Sequence, residues 1–234
     1  MTFNVVLAID TSTEQCSVAL KKADQWATRA VLAPREHSQL ILGLVQEVLT
    51  ELAITLADVE AIVVGHGPGS FTGVRISVAI AQGLAFSHNL PIIPVSTLTG
   101  LAQQAIRLHD APQVVSAIDA RMQEVYVAAY RQQQRFAVPL CAEQMAGLVD
   151  LTTLPWWSEL DPTQMVMGAG TGWQLAEAPL NQQGQVHVLD DVTLPLAEDL
   201  LRWGVAYGKP IAAADLEPLY VRNEVAWQKL PGRG

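Results

Sequence analysis

The sequence predicts an α/β protein of two similar domains facing each other across a cleft, and three observations carry that prediction. A strand-turn-strand unit occurs twice: Ala8-Ile9-Asp10 is followed, seven residues after the aspartate, by Ser17-Val18-Ala19, and Ala117-Ile118-Asp119 is followed at the same offset by Tyr126-Val127-Ala128. Between the two units, AIVVG (61–65) is short, apolar and β-branched, and runs through a glycine-rich loop into a helix almost free of polar side chains. Half of the 234 residues are hydrophobic and 16% are charged, ample for a large core. The duplication assigns residues 1–106 and 196–234 to one domain and 107–195 to the other, with an aspartate from each at the cleft.

The elements follow in order. The first strand ends at Asp10, and Thr11, Ser12 and Thr13 give the turn small hydroxyls. A helix over 37–52 carries Leu40, Ile41, Leu44, Val45, Val48, Leu49 and Leu52, an i, i+4, i+8 stripe that is wide for a surface helix. After the 61–65 strand, Gly65, Gly67 and Gly69 allow a tight turn, and Ser70 or Thr72 caps the next helix. Such a loop either cradles an anion or packs helix against sheet. It is no Walker loop, because no Lys-Ser/Thr pair follows and no lysine lies between Lys22 and Lys209.

From Gly73 to Phe86 the polar side chains are Arg75, Ser77 and Gln82, so this helix needs cover beyond the one side a sheet supplies. Ser77, Ala81, Gly83 and Ala85 would let another helix come close. The cover is either the chain's own core or a protein interface lined by Leu40, Ile41, Leu44, Val48, Val74, Ser77, Val78 and Ala81. In the second unit Ala120, Arg121 and Met122 replace the turn hydroxyls. Pro155-Trp156-Trp157 reads as a packing turn, with base stacking as the other reading, and Met167–Thr171 as a strand-glycine-helix junction. A helix over 196–207 returns to the first domain.

Charge bounds the partners. With 14 Lys and Arg against 23 Asp and Glu, the net charge of −9 provides no basic stripe, so the lone chain is not expected to bind nucleic acid. The stretch 222–233, with Trp227, is locally basic and reads as a frayed terminus, with contact to a phosphate backbone or an acidic partner as the other reading. No apolar run reaches the roughly 20 residues of a membrane span and no basic leader opens the chain, so a cytoplasmic protein is expected. Cys16 and Cys141 lack metal spacing and read as reduced thiols. None of the histidines forms an i, i+4 pair on a helix, and no metal site is expected. Asp10 and Asp119 either share a hydrated Mg²⁺ or cap their turns.

Paired domains of this kind resemble the actin-like fold of sugar kinases, acetate kinase and chaperone ATPases, two duplicated RNase H-like domains in which hairpin turns hold nucleotide phosphates. More specifically, the chain resembles the TsaB (YeaZ) family through AIDTST and CSVAL within 8–20, REHSQ (35–39), GPGSFTGVRI (67–76), VSTL (95–98), AIDARMQEVY (117–126), MGAGTGW (167–173) and EPLYVRNEVAWQKLPGR (217–233). It departs mildly from the family pattern at His66, Ser77 and Val221.

The resemblance implies a non-catalytic subunit with no catalytic residue of its own. It would pair through helices of its first domain with TsaD, the catalytic subunit that transfers threonylcarbamoyl from an adenylate to the adenosine beside the tRNA anticodon, and TsaE would join. Alone the chain would form a homodimer, and it would meet tRNA only through the complex. It would need no cofactor of its own; Asp10, Thr11, Ser12 and Asp119 would be a vestigial site for weak or partner-dependent ATP or ADP with Mg²⁺. The alternatives are an autonomous ATP-dependent phosphotransferase using Asp10 and Asp119, and a metallopeptidase-like hydrolase suggested by distant relatives.

Overall fold

The computed structural model describes residues 3–175 and 184–221. The basic stretch 222–233 lies outside them. Strands β1 (Val5–Asp10), β2 (Gln15–Lys22), β3 (Gln25–Leu32), β4 (Ala61–Gly65) and β5 (Ile92–Val95) form one sheet in the order β3-β2-β1-β4-β5. The β1/β2 and β2/β3 pairs are antiparallel, and β1/β4 and β4/β5 are parallel. Strands β6 (Gln113–Arg121), β7 (Glu124–Gln133), β8 (Phe136–Pro139), β10 (Val166–Ala169) and β11 (His187–Val188) repeat that order and those directions in a second sheet, with β9 (Gln144–Gly147) added beyond on β7.

The duplication is therefore real, although its registers differ by one residue. Asp10 faces Ser17, whereas Asp119 faces Val125, because a bulge between Asp119 and Arg121 shortens the second turn. The equal seven-residue spacing in sequence hides this shift.

Alternation along the strands sorts the core. Leu7, Ile9, Ile62 and Val64 point to the face covered by α1 (His37–Glu51) and α2 (Phe71–His88), while Val6, Ala8, Ala61 and Val63 point to α4 (Ala197–Tyr207). Helix α3 (Thr97–His109) directly follows β5 but packs on the second sheet, joining Leu98, Leu101, Ala102 and Ile106 to Val114, Ile118, Ala128 and Tyr130. The chain thus exchanges helices: α3 crosses to the second sheet, within the stretch that the sequence assigned to the first domain, and α4 returns to the first. Short 3₁₀ turns cover the far face of the second sheet, where Trp156 and Trp173 pack against Val115, Val125 and Val127.

Candidate functional site

Two places gather the residues singled out from sequence: the cleft between the hairpin turns and the outer side of α1 and α2. At the cleft, the first turn is pulled away from any ligand. Thr11 donates its N–H to Ser77 Oγ (2.8 Å) and its hydroxyl to the Gly73 carbonyl (2.7 Å), Thr97 Oγ1 donates to Ser12 Oγ (3.1 Å), and Ser70 N–H donates to the Ser12 carbonyl (2.7 Å). Glycine at 69 and 73 makes this possible, since a Cβ there would meet the carbonyl oxygens of Ser12 and Thr11. The glycine-rich loop clamps α2 onto the turn, so its packing role is the one the geometry carries.

Asp10 is wholly buried. Its Oδ1 accepts from Ser12 N–H (3.2 Å), and among the described residues its Oδ2 has no hydrogen-bond partner. Burial pushes the carboxyl up to about 6, against the opposing pull of the Ser12 hydrogen bonds. Burial and the Asp10 charge together push the neighbouring Cys16 thiol up to about 11, leaving it a poor nucleophile at neutral pH.

The cleft has a volume of about 540 Å³ and is lined in part by Thr13, Glu14, Phe71, Tyr126 and Gln174. Of the predicted nucleotide residues, Ser12 and Asp119 border it, and Asp10 and Thr11 do not. Asp119 is spent on the second turn: it accepts from Arg121 N–H (2.7 Å) and pairs with the Arg121 guanidinium at 3.1 Å, with Glu14 a further 3.9 Å from that guanidinium. Arg121, Met122 and Gln123 all adopt left-handed backbone, which turns the hairpin tightly. One guanidinium against two carboxylates is a poor cradle for a polyphosphate. Among the described residues no group of three or more His, Cys, Asp or Glu is placed to hold a metal ion, and no helix is long and apolar enough to cross a membrane.

On the helices, the residues expected at an interface need correcting. Ile41, Val48, Ser77 and Ala81 are 0% exposed, and Leu44, Val74 and Val78 no more than 7%. They are core, held against this chain's own sheet and turns, and Leu40 alone of the set is half-buried. A stripe at helical spacing marks the inward face, because the sheet claims the apolar positions first.

The outward residues sit between those positions: Leu42 is 50% exposed, Phe71 69% and Phe86 63%, and Ala79 also faces out. A Cβ at Gly43 or Gly83 would touch nothing within 4 Å, so both helices present open, low ground beside large apolar side chains. Arg75 lies 3.3 Å over the Phe71 ring and holds it at the start of α2. Leu42 and Phe86 escaped the sequence reading because they fall off the periodic stripe; the signal was their position on apolar helices outside the core face.

Comparison with known proteins places this geometry. The family model for TsaD, tRNA N6-adenosine threonylcarbamoyltransferase, matches residues 31–186. The tRNA threonylcarbamoyladenosine biosynthesis protein TsaB of Escherichia coli K12 is 44% identical over 231 residues, covering 97% of this chain and 99% of that protein. TsaB of Haemophilus influenzae is 40% identical, covering 97% and 98%. A solved structure from Pseudomonas aeruginosa, described as similar to peptidase YeaZ, superposes with a TM-score of 0.82 at 38% identity, covering 94% of this chain and all of that one. Near-complete coverage at such identity, on the same duplicated framework, means that the chain belongs to the TsaB family.

Proposed function

We propose that this chain is the non-catalytic subunit of a cytoplasmic assembly that forms threonylcarbamoyladenosine on tRNA, and that it holds and activates a TsaD-type catalytic subunit, with TsaE joining. Membership of the TsaB family supports the pathway. The single structural observation that carries the role is the outward face of α1 and α2, unpartnered among the described residues, where Leu42, Ala79 and Phe86 flank open glycines. Burying the exposed parts of Leu42 and Phe86 against a homologous helix pair contributes about 1–2 kcal/mol each. A homodimer through the same face is the resting form, and tRNA is met through the complex because the chain alone is acidic.

The tied first turn supports a role in which ATP or ADP with Mg²⁺ is handled with the partner and is not a cofactor of this chain. An autonomous phosphotransferase would turn over MgATP unaided, and a metallopeptidase-like hydrolase would purify with stoichiometric zinc or iron.

The test is threonylcarbamoyl transfer to unmodified tRNA in a reconstituted mixture, read together with co-elution with TsaD. Omitting the chain, or supplying Leu42→Glu or Phe86→Glu, is expected to stop transfer and pairing while the variants stay folded, because both side chains are already in water. Leu44→Glu is expected to fail differently, by unfolding the chain, since a carboxylate at a 7% exposed site is buried without a partner. Full activity with Leu42→Glu and Phe86→Glu together would sink the proposed interface.

A further inference from the structure

On the side of the first sheet opposite α1 and α2, a second pocket of about 310 Å³ opens between the β2–β3 hairpin, the β7–β8 turn, α3 and α4. In a chain of net charge −9 its lining includes Lys21, Arg107, Arg135 and Arg202, beside Trp26 and Phe136. The cations are of two kinds. Arg107 is locked in place by Asp199, wholly buried, through Nε and Nη2 at 2.7 and 2.9 Å, and Arg202 by Glu198 at 3.1 and 2.7 Å. Each keeps its Nη1 edge outside those bonds, so both are rigid donors with one edge to spare. Lys21 and Arg135 have no carboxylate within ion-pair distance among the described residues, which leaves the pocket with two uncompensated positive charges.

The surrounding backbone is built to present them. Lys21 sits directly across the hairpin from Trp26, whose ring is covered by the Arg202 guanidinium at 4.4 Å. Gln134 and Arg135 form a two-residue turn with both φ angles positive (52° and 69°), without the Gly or Asn that such a turn prefers. The buried amide of Gln103 clamps that turn, donating to the Arg135 carbonyl and accepting from Ala137 N–H, each at 3.1 Å. Leu201 and Val205 of α4 give the pocket its apolar wall.

We infer that this pocket binds a small anion with a flat aromatic body, of the class of a nucleoside monophosphate, its phosphate held by Lys21 and Arg135 and its ring laid on the Arg202 guanidinium that covers Trp26 and against Phe136 and Val205. The volume suits a ligand of that size. A longer nucleic acid is disfavoured by the negative charge of the rest of the chain. Stacking on aromatic and guanidinium planes is tolerant of base identity, so AMP and UMP should both bind. The site is independent of the helix face proposed for the catalytic partner.

Calorimetric titration of the full chain with AMP, UMP, adenosine and inorganic phosphate tests it. AMP and UMP should bind saturably at one site, with adenosine and phosphate each weaker by at least about tenfold. Lys21→Glu with Arg135→Glu, both at solvent-reachable positions, should weaken AMP by at least about tenfold, and Val205→Trp should block it by filling the pocket. Arg121→Glu, in the cleft, should leave it unchanged. Absence of saturable AMP binding, indifference to the Lys21→Glu and Arg135→Glu pair, or loss with Arg121→Glu would each overturn the assignment. Threonylcarbamoyl transfer is not read in this experiment, so failure of the assembly role leaves the inference standing, and the reverse.

Discussion

The Asp10 carboxyl is wholly buried, with one oxygen hydrogen-bonded and the other without a partner among the described residues. Its pKa rises from 3.8 to about 6, so the folded state holds the proton more tightly than the unfolded chain. The stability contributed by that proton is complete below the unfolded value and is lost as pH rises through about 6, after which a constant cost of up to about 3 kcal/mol persists. Asp10→Asn removes the titration. Its advantage in unfolding free energy over the parent should grow from pH 4 to pH 6 and then level off, read from urea melts across that range. A difference that does not change with pH would mean that the Asp10 carboxyl is as well solvated folded as unfolded. The same burial explains why a strand-ending aspartate, legible in the sequence as a cleft residue, does not border the cleft: its carboxyl is packed under the turn it was expected to crown.

At the scale of elements, the loop 65–70 and helix α2 work as one clamp on the first hairpin turn. Ser77→Ala leaves the buried Thr11 N–H without its acceptor, a loss of about 1–3 kcal/mol. Gly73→Ala should cost more, because its Cβ meets the Thr11 carbonyl and forces the start of α2 off the turn. Denaturant midpoints compare the two, and a Gly73→Ala protein as stable as the parent would show that the clamp is loose. This element also shows what the sequence could and could not disclose. The apolar run from Gly73 to Phe86 announced a helix covered on more than one side, and Gln82 donating to the Ala213 and Leu216 carbonyls reveals a second cover from the chain's own C-terminal segment. Periodicity identifies which positions are buried without saying by what, so Ile41, Leu44 and Val78 read equally well as core or interface until the sheet beneath them was placed. The helix exchange was illegible for a related reason: α3 follows β5 in sequence, and nothing in its own residues states which sheet its apolar face will meet.

For the whole molecule, that exchange makes the two halves mechanically dependent, and Arg107 ties it through Asp199, with Glu198 3.9 Å from the same guanidinium. Arg107 lies in the last turn of α3 and Asp199 in the first turn of α4, so each charge also opposes the dipole end of its own helix. Burial lifts the Asp199 carboxyl even with the guanidinium beside it, a sign of how poorly this place tolerates a lone charge. Arg107→Ala should therefore cost about 3–5 kcal/mol, and Asp199→Ala added to it should recover part of the loss, because the orphaned carboxylate disappears. Since α3 packs on the second sheet and α4 on the first, the weakening should reach both. Amide hydrogen exchange reads this directly: protection in β1 and in β6 should fall together in Arg107→Ala. Faster exchange confined to one sheet would show that the crossed helices do not couple the halves, and the chain would then have to present its outward helix face from one half acting alone.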